Sequence, residues 1–99
     1  MVEQINFDDM EKLSQLLAEL YQAQKKILFQ ELVMQGFMES TGMTEKQCIT
    51  MLEKMLQHGW LTTGGSKPRF FMRPGYVGSF PVVVSRKGIQ YLKENGYCG

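Results

Sequence analysis

The stretch TEKQCITMLEKMLQHGWLTTGG, residues 44–65, contains a helix with a clear beginning and a clear end. Thr44 and Gln47 form a T-x-x-Q capping box, in which two side chains accept the first free backbone N–H groups of a helix. Gly59 supplies the left-handed conformation that follows many helix C-termini, so that Trp60 folds back on the last turn. The segment WLTT that comes next is typical of a strand. This stretch therefore predicts a helix that turns directly into a sheet.

The apolar residues of this helix recur at the spacing of one helical face. We expect the inward face to hold Cys48, Ile49, Leu52, Met55 and Leu56. Helical geometry then places Lys46, Thr50, Glu53, Lys54 and Gln57 on the open face. Just before the helix, Met43 is placed to form a hydrophobic staple with Cys48.

An amphipathic helix is also predicted near the N-terminus. Asn6 is expected to cap it, with Asp9 at the third helical position and Ile5 and Met10 as a staple. The apolar stripe comprises Met10, Leu13, Leu17 and Leu20, widened by Leu16 and Tyr21. The stripe must be covered by the domain itself or by a second copy, because its spacing also fits a coiled-coil seam. We therefore predict that residues 7–21 contribute to a homodimer as well as to the core.

The segment KKILFQELVMQG, residues 25–36, predicts a second helix or a continuation of the first. Its inward residues would be Ile27, Leu28, Leu32 and Val33. Gly36 would end it, leaving residues 37–42 room for at most one helical turn.

After Gly59 the pattern changes from helical to extended. Three β-rich runs, WLTT, RFFMR and PVVVS, are separated by glycine-containing turns and predict two or three strands. Ser85 is then placed to cap a closing helix, RKGIQYLKEN, which ends at Asn95-Gly96 with Ile89 and Leu92 facing inward. The expected fold class is α+β, with three N-terminal helices, a small antiparallel sheet and a C-terminal helix.

Length and composition narrow the function classes. The 99 residues, 43% of them hydrophobic, fit one domain with one core. No apolar run approaches the ~20 residues that span a bilayer, and residues 1–10 do not resemble a leader, so a cytoplasmic protein is expected. Cys48 and Cys98 form no CxxC motif and His58 is the single histidine, which argues against a disulfide framework or a metal site. We expect no catalytic residues and no cofactor.

The order of elements resembles a winged helix-turn-helix domain over residues 25–96, with residues 1–24 as a helical extension. More narrowly, GMTEKQ at 42–47, QHGWL at 57–61 and VSRKGIQYLKENG at 84–96 are similar to the YjcQ-like family of small bacterial and prophage proteins. The resemblance implies the fold and a prokaryotic or phage setting, but no biochemical role. The N-terminal extension and the long wing, residues 64–80, depart from the common pattern.

The winged-helix resemblance and the charge distribution together favour binding to double-stranded DNA, as a transcriptional or phage regulator. Residues 1–43 carry a net charge of −4 and residues 44–99 a net charge of +5, and such asymmetry hints at a polyanion partner. The helix would read the major groove and the wing would contact phosphates. The candidate DNA-binding residues are Lys46, Gln47, Thr50 and Lys54 on the helix and Lys67, Arg69 and Arg73 on the wing. Gln47 has the alternative role of a cap, and Glu53 in the middle of the face would repel phosphate.

A protein-interaction module is the rival interpretation. Tyr76, Val77 and Phe80 in the wing, together with Trp60, would form an exposed aromatic patch suited to a protein partner. The alternative for these residues is that they cover the edge of the sheet. An ordinary solvated surface is the corresponding alternative for the charged face of the helix.

Overall fold

The computed structural model describes residues 6–62, 68–81 and 83–97, in which five helices surround a two-stranded antiparallel sheet. The helices are α1 (Met10–Lys26), α2 (Val33–Thr41), α3 (Glu45–Gln57), α4 (Pro68–Phe71) and α5 (Arg86–Glu94). The strands are β1 (Leu61–Thr62) and β2 (Val83–Val84), with Leu61 opposite Val84, and single 3₁₀ turns lie at Gln30–Leu32 and Val77–Ser79. The predicted α+β class, with three helices before a small sheet and one after it, is confirmed. None of the helices described has the length and apolar character needed to cross a membrane.

Helix α1 begins one turn later than predicted. The cap is Asp9, whose Oδ1 accepts hydrogen bonds from the backbone N–H groups of Glu11 at 3.0 Å and Lys12 at 3.5 Å. Asn6 instead accepts from the N–H of Asp8 and so closes a turn before the helix. Both side chains are of a type that bonds to the local backbone, and composition alone did not separate a turn from a cap. Ile5 of the predicted staple lies outside the described residues.

The leucine stripe of α1 forms the centre of the core. Leu13, Leu16, Leu17 and Leu20 are buried within the chain, where α1 packs against α2, α3, α5 and β2. The leucines that motivated a homodimer are therefore covered by their own domain. A dimer through this helix remains a prediction, but the stripe no longer supports it.

The prediction for residues 25–36 was wrong, because the helix stops at Lys26 and the backbone of Ile27 is extended. Leu28 and Leu32, expected to face inward, are exposed. Gly36 does not end a helix; it lies inside α2, where a Cβ atom would overlap the tip of the Ile27 side chain. Helix α2 continues to Thr41 because it buries Val33, Met34 and Phe37 on one face.

Helix α3 has the predicted limits. The capping box is formed, Gly59 has a φ of +74°, and the N–H of Trp60 donates to the carbonyl of Met55 at 3.0 Å. Cys48, Leu52 and Met55 are buried as expected, while Ile49 and Leu56 are only half-buried. Met51, which was left out of the predicted face, is also fully buried.

The predicted middle strand RFFMR was wrong. Residues 68–71 form the short helix α4, which begins with proline, a residue suited to the first helical turn. Phe71 stacks on the fully buried Phe80 with ring centroids 5.3 Å apart, whereas Phe70 is half-exposed. Because Val77 and Phe80 fill the core beside α2 and α3, a third strand is not needed to cover it.

Helix α5 is joined to the rest of the domain through the residues of its S-x-x-G-x-x-Y motif. The Ser85 hydroxyl accepts from the N–H of Gly88 at 3.1 Å and donates to the carbonyl of Gly59 at 2.7 Å. Tyr91 and Ser14 of α1 share a hydrogen bond of 2.7 Å between their hydroxyls. This part of the family resemblance is thus explained by packing and capping.

Candidate interaction surface

The open face of α3 carries the predicted base-reading residues, but two of them have local partners. Lys46 is exposed. The Thr50 hydroxyl donates to the Lys46 carbonyl at 3.2 Å. Gln47 Oε1 accepts from the N–H of Thr44 at 2.9 Å, so the alternative role of Gln47 as a cap is the one that it has. The polar groups of Thr50 and Gln47 are therefore engaged in stabilising the helix itself.

Acidic groups reduce the positive charge of this face. Lys54 Nζ lies 3.0 Å from Asp8 Oδ1, which comes from the segment before α1. Glu53 is exposed beside Lys54 in the same helix. Such a pair adds little to stability when it is exposed, but it places a carboxylate at the position where Lys54 would meet a phosphate.

Glu45 holds the loop after α4 against the start of α3. Its Oε2 accepts a hydrogen bond from the N–H of Gly75 at 2.6 Å. The carboxylate also lies in the first turn of α3, where the helix dipole favours negative charge. The loop of residues 72–76 is therefore fixed to the same end of α3 that carries Lys46.

The two described arginines of the wing differ in their surroundings. Arg73 is exposed, yet its Nε donates to the Phe70 carbonyl at 3.1 Å. Its guanidinium carbon lies 4.3 Å from the Tyr76 ring centroid and 5.0 Å from that of Phe70. We call Phe70, Arg73 and Tyr76 the arginine clamp. Arg69 is exposed and has no such ring contact among the described residues, and Lys67 lies outside them.

An open groove of about 290 Å³ lies between α3 on one side and α4 with Met72 on the other. It is lined by Glu53, Leu56, Gln57, Arg69 and Met72. Within the described part of the chain, neither Glu53 nor Arg69 has an ion pair. The groove is thus of mixed charge with an apolar floor, unlike the uniformly positive surface that binds DNA phosphates.

The aromatic patch predicted for the wing is only partly present. Trp60, Val77 and Phe80 are buried in the core and so are not part of an exposed patch. Tyr76 is 43% exposed and contacts Phe70, with ring centroids 5.3 Å apart. In the described part of the wing, the exposed aromatic surface therefore consists of Phe70 and Tyr76, the two rings of the arginine clamp.

A second exposed apolar cluster was missed from the sequence. Leu28, Phe29 and Leu32, which we call the apolar corner, are 88%, 56% and 45% exposed at the break between α1 and α2. The 3₁₀ turn that contains Leu32 packs against the 3₁₀ turn at residues 77–79, directly after Tyr76. The turn that contains Leu32 thus lies against the turn that follows Tyr76 in the chain. The helical spacing of residues 25–36 hid the corner, because it assigned Leu28 and Leu32 to a buried face.

Cys48 is a buried free cysteine. Burial, and secondarily the charge of Glu45, raises the pKa of the Cys48 thiol to about 12, so that it is protonated and unreactive at neutral pH. No three His, Cys, Asp or Glu side chains come together as metal ligands among the described residues.

Neither the protein-family models, nor the curated proteins, nor the solved structures contain a match to this chain. The resemblance to the YjcQ-like family therefore stays a prediction.

Proposed function

We propose that this protein is a winged-helix protein-interaction module whose partner docks on the apolar corner. The observation that supports the proposal most is the exposure of Leu28, Phe29 and Leu32 within five residues. Single exposed hydrophobic residues are ordinary on a protein surface, but a cluster of large ones marks an interaction site more often.

The energetics of burial are consistent with this proposal. A Leu or Phe side chain that passes from water to a fully buried site contributes about 1.5–3 kcal/mol. Leu28 is almost entirely in water, and its neighbour Phe29 is more than half exposed. A partner that covers both side chains would therefore gain enough free energy to offset part of the cost of association.

Binding to double-stranded DNA is the second candidate function, as a small transcriptional or prophage regulator. It is favoured by the exposure of Lys46, Arg69 and Arg73. It is disfavoured by Glu53 and by the ion pair of Lys54 with Asp8, which bring negative charge to the face that would enter the major groove. The charges thus support the protein partner over the DNA.

The test begins with a random 12-residue peptide library displayed on phage and selected against the wild-type protein. Synthetic copies of the enriched peptides are then titrated against wild type, Phe29→Ser and the matched control Met10→Ser. Met10 is a suitable control because it is 43% exposed on a different element. We expect Phe29→Ser to weaken binding at least tenfold, the loss of about 1.4 kcal/mol, and Met10→Ser to leave it unchanged.

The same titrations at two salt concentrations separate the two functions. Binding through the apolar corner should change little between 50 and 200 mM salt, whereas binding to a mixed DNA duplex should fall steeply, by about 10³–10⁵ for 6–10 phosphate contacts. Equal peptide binding by wild type and Phe29→Ser would refute the apolar corner as the docking site. A duplex affinity tighter than about 10⁻⁶ M at low salt would favour DNA as the partner.

A further inference from the structure

We propose that Arg73 is a carboxylate-binding residue, which recognises an Asp or Glu side chain of the protein partner. This inference rests on the proposed function for the source of the carboxylate. The clamp itself is defined by the contacts of Arg73 with Phe70 and Tyr76.

The first step is the orientation of the guanidinium group. Its Nε is used by the Phe70 carbonyl, and the rings of Phe70 and Tyr76 lie close to its carbon. An arginine side chain loses rotamer entropy when it is fixed. In this clamp, part of that loss has occurred before any ligand arrives, and pre-organisation of this kind raises affinity.

The second step concerns the two terminal nitrogen atoms of Arg73. Throughout the described ranges, no carboxylate lies within ion-pair distance of Arg73 and no other hydrogen bond involves its guanidinium group. The side chain is exposed. Its terminal N–H groups are therefore available to a ligand as far as these residues go, and their planar fork suits the two oxygens of a carboxylate.

The third step distinguishes a carboxylate from the phosphates of a nucleic acid. Glu45 is bonded to Gly75, two residues from Arg73, and Glu53 is exposed in the adjoining groove. A duplex would bring one negative charge per ~1.7 Å of its axis against these acids. A single carboxylate next to an apolar side chain meets far less repulsion, and the rings of Phe70 and Tyr76 offer a surface for that side chain.

The test uses small probes and the intact protein. N-acetyl-phenylalanine, which has a carboxylate and a ring, is titrated into ¹⁵N-labelled protein and compared with its amide, which lacks the charge. We expect the carboxylate to shift the Arg73 Nε–Hε signal saturably and the amide to leave it in place. Inorganic phosphate and a mixed DNA duplex are titrated in parallel.

Three variants make the test specific. Because the two variants of Arg73 lack the Arg73 signal, binding is followed by the shifts of the Tyr76 ring. Arg73→Gln should abolish the saturable shifts. Arg73→Lys should lower the affinity about tenfold, since lysine keeps the charge but not the planar fork. Arg69→Gln is the control. It removes an equal charge four residues before Arg73, at an arginine that has no ring contact among the described residues. We expect it to leave the affinity for the carboxylate within twofold.

Three results would overturn the inference. They are equal effects of Arg69→Gln and Arg73→Gln, equal shifts with the carboxylate and the amide, or tighter binding of phosphate or duplex than of the carboxylate. Because these probes are followed at Arg73 and Tyr76 and the library peptides at Phe29, the probes can fail while the peptides still require Phe29, and the reverse can also occur. The two proposals are therefore tested separately.

Discussion

Replacing Gly88 with alanine should destabilise the fold, because this glycine allows α5 to approach β1. A Cβ atom at this position would lie 2.5 Å from the Trp60 carbonyl oxygen and 2.8 Å from Val84 Cγ1. The carbonyl cannot easily retreat, since it accepts the N–H of Ser85 at 2.7 Å and the Trp60 side chain is buried. Val84 is held by its pairing with Leu61 in the sheet.

The size of the effect follows from three contributions. Overpacking costs about 1–3 kcal/mol, and weakening the Ser85 hydrogen bond costs about 1 kcal/mol. Against these costs, the higher helix propensity of alanine stabilises the fold by at most about 1 kcal/mol. We therefore expect Gly88→Ala to lower the free energy of unfolding by about 1–3 kcal/mol, or the Tm by roughly 4–24 °C for a domain of this size.

Gly36→Ala is the matched control for this prediction. Gly36 is also in a helix, but the atom that its Cβ would displace is the tip of the Ile27 side chain, which can rotate. The gain in helix propensity and the cost of moving Ile27 should leave stability within about 1 kcal/mol of wild type. Both variants are measured by urea and thermal denaturation followed by circular dichroism at 222 nm. If Gly88→Ala is as stable as wild type, or if both variants lose equal stability, the reasoning is refuted.

Three further predictions concern stability. Tyr91→Phe removes the hydrogen bond to Ser14 and should cost about 1 kcal/mol in urea denaturation; an unchanged midpoint would contradict this. Thr44→Ala removes the α3 cap and should cost about 0.5–2 kcal/mol in the same assay, an effect that Thr62→Ala should not reproduce. Since the folded Cys48 thiol has a pKa of about 12 against an ordinary 9.0, its contribution to stability is complete below pH 9 and is lost as pH rises from 9 toward 12. Cys48→Ala should flatten the stability profile above pH 9, and an unchanged slope would argue against the raised pKa.

Helices α3 and α5 were predictable because local residues fix their ends. The Thr44–Gln47 box, the left-handed Gly59 and the Ser85 cap all act within a few residues of the helix terminus. Both partners of such a hydrogen bond are close in the sequence, so no distant contact is needed to form it.

The segments predicted wrongly are those where distant contacts choose between local alternatives. Residues 25–36 fit a helical stripe, but Ile27 turns out of α1 and lies against Gly36, so that Leu28 is left exposed. Residues 69–73 fit a strand, but the stacking of Phe71 on Phe80 accompanies a helical turn. Where an apolar pattern allows two structures, tertiary packing decides between them.

The interaction surface also has some features that the sequence predicts and others that depend on the tertiary structure. The sequence by itself determined that Lys46, Arg69 and Arg73 are exposed, because a charged side chain is costly to bury. Only the tertiary structure paired Lys54 with Asp8, bonded Glu45 to Gly75 and packed the turn of Leu32 against the turn at residues 77–79. The reason is physical: exposure depends on the transfer of one side chain from water, whereas the charge and shape of a surface depend on which distant side chains the fold brings within a few ångströms of one another.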